Sequence, residues 1–230
     1  MRGGLATRRE IVRVCQRLYE RGLIAGPDGN VSVRLDGDRV LVTPAGMSKV
    51  EVTVDDLVEI TIEGRHVRGA RRASTEVAMH LRLYQRRPDV AAVVHAHPPI
   101  ATGFAVAGES FSSCVLPEMI FQVGWVPLLP YAEPGTTQLA DSFDPYLSQH
   151  DAFLLANHGA TTVGPTLTIA HQRMESLEHS ARILFTARAL GRVNPLTAQQ
   201  VEALVDARRR AVPGAPFAGC QVPPGARSEV

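Results

Sequence analysis

The sequence predicts a single layered α/β domain, and three observations lead to that fold class. A chain of 230 residues is long enough for one domain with a sizeable core and short for two. Segments with the apolar pattern of strands are interspersed with segments whose apolar residues recur at helical spacing. No internal repeat or linker interrupts them. We therefore predict one domain over residues 1–212, followed by an irregular tail rich in proline and glycine over residues 213–230.

The first third of the chain predicts a helix followed by paired strands. Apolar residues recur at helical spacing over residues 7–21, and Gly22 can end that helix. Residues 31–35 alternate as a half-buried strand does, residues 36–38 are typical of a hairpin turn, and residues 39–43 form the return strand. A short helix over residues 54–57 and two strands over residues 58–62 and 66–68 are predicted next.

The rest of the chain alternates helices with buried strands. Residues 75–86 predict a helix that Ser74 or Thr75 can cap. Residues 90–94 are a continuous apolar run, typical of a strand that is buried on both faces. No element is assigned to residues 115–134, which are rich in proline. Further helices are predicted over residues 100–106, 139–147, 167–190 and 197–210, and a further strand over residues 151–156.

Composition and charge argue against several classes of partner and location. The 24 basic and 23 acidic side chains nearly cancel, so nothing in the charge favours nucleic acid or an anionic membrane. The apolar runs fall short of the roughly 18 residues that span a bilayer, and the N-terminus lacks the apolar core of a secretory signal. The three cysteines are far apart and imply no disulfide framework. We expect a cytoplasmic protein.

Three histidines follow apolar strands and are candidate metal ligands. His95 and His97 are two residues apart, so on a strand both rings face the same side. His158 follows the strand predicted over residues 151–156, and Gly159 leaves room for the backbone there. If these strand ends meet, three neutral imidazoles converge, which suits Zn²⁺ with one open coordination position. The alternative interpretation is separate surface or core histidines.

Glu76 opens a helix and has two interpretations. It can be an acid whose only role is to favour the helix dipole. It can also be a carboxylate that binds the substrate-free metal and is released as an acid/base when substrate arrives. His80, one turn later, is interpreted as a structural histidine that supports this site.

Several turns could together bind an anion. Gly29-Asn30, residues 43–46 and Ser74-Thr75 offer backbone amides or hydroxyl groups, and Lys49 and Arg71 are near them in sequence. Taken separately, they are ordinary turns and a helix cap.

Other candidate sites are weaker. His171, Glu175 and His179 recur every four residues, which can be a metal site or simply a polar helix face. No G-x-S-x-G sequence and no cysteine–histidine pairing supports nucleophilic catalysis.

Five short motifs, taken in order, carry a resemblance to a known family. They are Gly-Asn-Val-Ser-Val-Arg at 29–34, Thr-Pro-Ala-Gly at 43–46, Ala-Ser-Thr-Glu at 73–76, Val-His-Ala-His at 94–97 and Ala-Asn-His-Gly at 156–159. In this order they resemble the class II aldolase/adducin family, over roughly residues 8–190.

This resemblance implies a structure and a set of site residues. The fold would be a three-layer α/β/α domain whose mostly antiparallel central sheet is flanked by helices, assembled as a homotetramer with active sites between subunits. The divalent metal, Zn²⁺ or else Mn²⁺, Co²⁺ or Fe²⁺, would be held by His95, His97 and His158, with Glu76 as ligand and catalytic carboxylate. The substrate phosphate would be bound by Asn30, Gly46, Ser74 and Thr75.

The implied reaction is that of a metal-dependent aldehyde-lyase. A small, phosphorylated ketose would be cleaved to dihydroxyacetone phosphate and an aldehyde through a metal-stabilised enediolate. The chain departs from the family pattern at three places, one of which is a tyrosine near the C-terminus that has no counterpart here, since no tyrosine follows Tyr146. Ala45 stands where Thr or Ser is usual, for which Lys49 or Arg71 could compensate. Glu118 stands near the position of a general-acid tyrosine and is our candidate for its role.

Four alternative functions remain open at this point. A decarboxylase would use the same enolate stabilisation and tolerates the missing tyrosine. An epimerase of the family would have aspartate where this chain has Glu76. An adducin-like scaffold would lack the histidine ligands, and a metal-dependent hydrolase would use the same ligands with water as nucleophile.

Overall fold

The structure, a computed structural model, describes residues 4–112 and 114–212. The predicted tail over residues 213–230 lies outside the described residues. The helices are α1 Gly4–Glu20, α2 Val77–Arg86, α3 Pro99–Val106, α4 Pro117–Gln122, α5 Thr137–Asp141, α6 Leu167–Ala189 and α7 Ala198–Ala211. The strands are β1 Asn30–Arg34, β2 Arg39–Val42, β3 Val58–Thr61, β4 His66–Arg68, β5 Ala92–Ala96, β6 Leu128–Leu129, β7 Ala152–Leu155 and β8 Gly159–Gly164.

The strands form one sheet in the order β4-β3-β2-β1-β5-β8-β7-β6. Neighbouring strands run antiparallel except β6 and β7, which are parallel. The sheet is therefore mostly antiparallel, as the resemblance implied, and β1, β5 and β8 lie side by side in its middle.

Helices cover both faces of this sheet. Because side chains alternate along a strand, neighbours in β5 belong to different cores. Val94 packs into the core that includes residues of α1, α3 and α6, whereas Val93 packs into the core that includes residues of α2 and α5. The α/β/α three-layer architecture is confirmed.

Some predicted elements were wrong or shifted. Strand β8 was not predicted, because its buried threonines made the segment look polar. No helix forms over residues 54–57, which are turns, and a short 3₁₀ helix lies earlier at Lys49–Glu51. Strand β5 begins and ends two residues later than the run over residues 90–94, so His95 lies inside the strand. The helix predicted over residues 139–147 is the shorter α5.

In the described part of the chain, no helix combines the length and apolar character needed to cross a membrane.

Candidate metal centre

The three candidate histidines meet where β5 ends and where β7 turns into β8. His95 is in β5, in register with Asn30 of β1 and Thr161 of β8. His97 lies just beyond the strand. His158 lies in the tight turn between β7 and β8, after Asn157, which has a positive φ of 56°. The sheet order therefore brings together residues that are more than 60 positions apart in sequence.

Gly159 allows the close approach of this turn to the other histidines. A Cβ atom at this position would lie 2.6 Å from the carbonyl oxygen of Ala96 and 2.6 Å from a ring carbon of His97. A side chain at residue 159 would therefore displace the His97 ring or the end of β5.

The ring nitrogens and the Glu76 carboxylate face one another at short range. The Nε2 atoms of His95 and His97 are 3.2 Å apart. Glu76 Oε2 lies 3.4 Å from His95 Nε2, and Glu76 Oε1 lies 3.1 Å from His158 Nε2. The structure thus brings Glu76 and the three histidines into one cluster.

This donor set fits a divalent cation. Nitrogen and oxygen ligands about 2.0–2.1 Å from a tetrahedral Zn²⁺ are about 3.4 Å apart, close to the separations found here. The buried Oε1 of Glu76 has no hydrogen-bond partner among the described residues. A buried carboxylate oxygen that lacks a donor and lies beside imidazole nitrogens is what a shared cation would satisfy.

Contacts behind two of the three rings, those of His95 and His97, direct their Nε2 atoms to the centre of the cluster. His95 Nδ1 lies 3.0 Å from the carbonyl oxygen of Ala160, to which it can only donate. His97 Nδ1 lies 3.5 Å from the carboxylate of Asp28. Each contact favours the tautomer whose Nε2 lone pair is free for a metal, the usual arrangement around ligating histidines.

Burial keeps the rings of His95 and His97 neutral. It lowers the pKa of His95 to about 3, and it lowers the pKa of His97 as well. Burial alone would raise the pKa of Glu76, but contacts with His95, His158 and Asn30 outweigh it and hold that pKa well below its usual range. His95 is neutral near pH 7, so its positive charge lowers the pKa of Glu76 only in acid, where the ring is protonated. Neutral imidazoles and an ionised carboxylate are the protonation states of metal ligands.

The segments expected to bind phosphate lie beside this cluster. Asn30 donates from Nδ2 to Glu76 Oε2 at 2.8 Å. The backbone N–H of Ala45 donates to the carbonyl of Arg72, and the N–H of Ser74 donates to the carbonyl of Thr43. These bonds bring the loop over residues 43–46, with Gly46, next to Ser74. Ser74 is buried and Thr75 is exposed.

Lys49 and Arg71 have other partners in the structure. Lys49 is buried, and its Nζ donates to the carbonyl oxygens of Pro27 and Met47 at 2.7 and 2.9 Å. It therefore ties the turn before Asn30 to the loop that carries Gly46. Arg71 pairs with Asp56 at 2.6 Å.

Two other predicted residue groups lie apart from the cluster. Glu118 is exposed in the first turn of α4 and, within the described part of one chain, makes no hydrogen bond or ion pair with the four clustered residues. His171 Nδ1 lies 3.5 Å from the Glu175 carboxylate, which also pairs with Arg21 at 3.3 Å. These contacts favour a polar helix face over a second metal site.

Sequence reasoning missed Glu178, which supports the loop after His97. Its carboxylate, buried on α6, accepts hydrogen bonds from the N–H groups of Ile100 and Ala101 at 3.0 and 2.9 Å. These groups lie at the N-terminus of α3, where Pro98 provides no side-chain cap. No local pattern identifies a cap that comes from a residue about 80 positions away.

Comparisons with known proteins show similarity to one family. The sequence profile of the Class II Aldolase and Adducin N-terminal domain matches residues 9–185. A 3-oxo-tetronate 4-phosphate decarboxylase of Haemophilus influenzae is 35% identical over 79% of this chain and 88% of that protein. An L-fuculose phosphate aldolase of Methanococcus maripaludis is 32% identical over 76% and 93%. A solved L-fuculose 1-phosphate aldolase superposes with a TM-score of 0.82 at 31% identity, over 88% and 96%.

Proposed function

The chain belongs to the class II aldolase and adducin family, and we propose that it is a divalent-metal-dependent lyase. It would break a carbon–carbon bond next to the carbonyl group of a small phosphorylated sugar or sugar acid. The observation that carries the proposal is the cluster of His95, His97 and His158 with Glu76 against it, within 3.4 Å of two of the rings.

The histidines would hold the metal and Glu76 would transfer the proton. When bound there, a divalent cation, most simply Zn²⁺, supplies a fixed positive charge that stabilises the negative charge on a substrate oxygen as the bond breaks. Glu76 is partly buried and ionised, and it is oriented by Asn30, so it can exchange a proton with the carbon that is left carrying charge.

The neighbouring loops would bind the phosphate of the substrate. Gly46 and Ser74 are brought near each other by the backbone pairing of their segments, Thr75 follows Ser74, and Asn30 contacts Glu76 at the start of α2. Backbone and side-chain N–H groups and hydroxyls that converge at the start of α2 suit a phosphate. Ala45 supplies no hydroxyl to this group.

Aldol cleavage of a ketose 1-phosphate is the first form of this proposal. In the direction of cleavage, one group must take the proton of the substrate hydroxyl, and the same group acts as general acid in the reverse reaction. Another group must deliver a proton to carbon. Glu118, our candidate for the first task, would have to act from outside the single-chain cluster. A homotetramer with sites between subunits, as the resemblance implies, would allow this. A mass of 24.9 kDa in light scattering would contradict it.

Decarboxylation of a phosphorylated 3-oxo acid is the second form. Loss of carbon dioxide leaves the same kind of enolate and needs only a proton delivered to carbon. Glu76 could pass that proton to the carbon after taking it from solvent, with no second protein group needed. The isolation of Glu118 from the cluster therefore favours this form, as does the likeness to the decarboxylase of Haemophilus influenzae.

A product assay distinguishes the two forms. Zinc-loaded enzyme would be mixed with a panel of ketose 1-phosphates and phosphorylated 3-oxo acids, with release of dihydroxyacetone phosphate and of carbon dioxide measured. We expect one of the two products, and at least about a 100-fold loss of rate in Glu76→Gln. Equal rates in the wild type and in Glu76→Gln would contradict the role of Glu76. No product from any substrate would contradict the proposed lyase function.

A further inference from the structure

Five polar side chains form a continuous hydrogen-bonded chain between β1 and α2. Asn30 Nδ2 is 2.8 Å from Glu76 Oε2, and Asn30 Oδ1 is 2.5 Å from His80 Nε2. Ser32 Oγ is 2.7 Å from His80 Nδ1 and 2.7 Å from the hydroxyl of Tyr84. We call this set the Glu76–Tyr84 relay.

The spacing of these residues explains how they meet. Asn30 and Ser32 are two residues apart on β1, so they share one face of the strand. Glu76, His80 and Tyr84 follow at intervals of four, so they share one side of α2 and the residue before it. His80, Ser32 and Tyr84 are fully or almost fully buried.

The donors and acceptors of the relay can be assigned in only one way. An ionised carboxylate accepts hydrogen bonds and cannot donate them, so the amide nitrogen of Asn30 faces Glu76 and the amide oxygen faces His80. The amide oxygen requires a donor, so the proton of the neutral His80 ring is on Nε2. His80 Nδ1 must then accept from Ser32. Ser32 in turn accepts from the hydroxyl of Tyr84.

We propose that His80 is a positioning residue that fixes the amide of Asn30, and through it the carboxylate of Glu76, for proton transfer. An asparagine amide has nearly the same shape when it is rotated by 180°, and packing alone does not select between the two orientations. The rotated amide would place its oxygen against the carboxylate and remove the hydrogen bond. The carboxylate of Glu76 favours the productive orientation, and the N–H of His80 adds a second hydrogen bond that exists only in that orientation.

The pairing of the relay and the residue on which it ends support a role in positioning Glu76. Five polar groups in a protein interior are more costly than apolar residues of similar size unless every one is paired. Here each link is paired, and the chain ends on the carboxylate to which the proposed function assigns proton transfer. For its effect on rate, the inference rests on that proposed function.

A first test requires no activity. In the metal-free protein, ¹⁵N and ¹H NMR of the His80 ring should show a single tautomer protonated at Nε2, with a slowly exchanging proton. In His80→Leu, the side-chain amide protons of Asn30 should exchange at least about tenfold faster than in the wild type. A ring protonated at Nδ1, or Asn30 exchange that is unchanged in His80→Leu, would overturn the inference.

A second test uses matched variants of the zinc-loaded protein. His80→Gln keeps one donor and one acceptor, whereas His80→Leu keeps neither. We expect kcat to fall about 10- to 100-fold in His80→Leu, the usual range for residues that orient a metal-site ligand, and to recover to within about threefold of the wild type in His80→Gln. Equal kcat values in the wild type and His80→Leu, with zinc bound in both, would overturn the inference.

A third variant covers the case in which His80→Leu does not fold. Ser32→Ala removes the donor to Nδ1 and leaves the ring in place. With Nδ1 unpaired, the ring is held by Asn30 alone, so the Nε2 proton should exchange faster and kcat should be lower than in the wild type; unchanged exchange together with unchanged kcat would contradict the relay. If the wild type cleaves no substrate, the proposed function fails, but the tautomer and exchange measurements still decide whether His80 orients Asn30.

Discussion

At the scale of single residues, burial determines how His80 titrates. His80 is completely buried, and this burial lowers its pKa to about 4 from the usual 6.5. Between these two values the unfolded chain binds a proton that the folded chain does not. Folding is therefore favoured most above about pH 6.5, and the contribution of neutral His80 is lost as the pH falls toward 4.

This difference predicts a pH-dependent stability. The free energy of unfolding of the metal-free protein should fall as the pH is lowered from about 6.5 to about 4, with His80 contributing up to about 1.4 kcal/mol per pH unit. Urea unfolding at a series of pH values measures the slope. The slope should be smaller in His80→Gln and unchanged in His66→Gln, where the histidine is exposed. Identical slopes in His80→Gln and the wild type would contradict the assignment.

The sequence identified residues of the cluster better than the residues that support it. His95, His97, His158 and Glu76 could be named because they stand in short motifs. Asp28 and Glu178 could not, because each acts on a segment that is distant in sequence and belongs to no motif. Their roles follow only from the packing of α6 and of the turn before β1.

At the scale of elements, the amphipathic helix α1 was easier to predict than strand β8. The apolar stripe of α1 gives Ile11, Val14, Cys15 and Leu18 as its buried face. Strand β8 has no such stripe, because Thr161 and Thr162 are buried beside apolar residues. The Thr162 hydroxyl donates to the carbonyl of Ala170 at 2.7 Å, so tertiary contacts, which no sequence pattern records, satisfy its polarity.

The distant cap on α3 leads to a prediction for that element. Glu178→Ala would leave the N–H groups of Ile100 and Ala101 without their acceptor in a partly buried site. We expect the free energy of unfolding to fall by about 2–3 kcal/mol, and zinc to bind more weakly because His97 precedes this helix start. Chemical unfolding and zinc titration measure the two effects.

The control for this prediction is Glu202→Ala. Glu202 is exposed on α7, so its removal should change the free energy of unfolding by less than about 0.5 kcal/mol and leave zinc binding unaltered. The cap would be unimportant if Glu178→Ala behaved like Glu202→Ala in both measurements.

At the scale of the whole molecule, strand order assembles the site. Asn30, His95 and Thr161 lie in register on β1, β5 and β8. These three strands are adjacent in the sheet but far from one another along the chain. Periodicity predicted a layered α/β domain, and the resemblance supplied the mostly antiparallel sheet. The spacing of the histidines alone could not show that they converge, because non-local strand pairing is not encoded in local sequence patterns.

The proposed function requires that the clustered histidines hold a metal on which carbon–carbon bond cleavage depends. The most direct measurement is the zinc content per chain after loading and gel filtration, with cleavage measured on the same samples. We expect about one zinc per chain in the wild type and in His179→Ala, whose histidine is exposed on α6, and loss of both zinc and cleavage in His95→Ala and His158→Ala. Full cleavage by metal-stripped wild type or by zinc-free His158→Ala would contradict the claim.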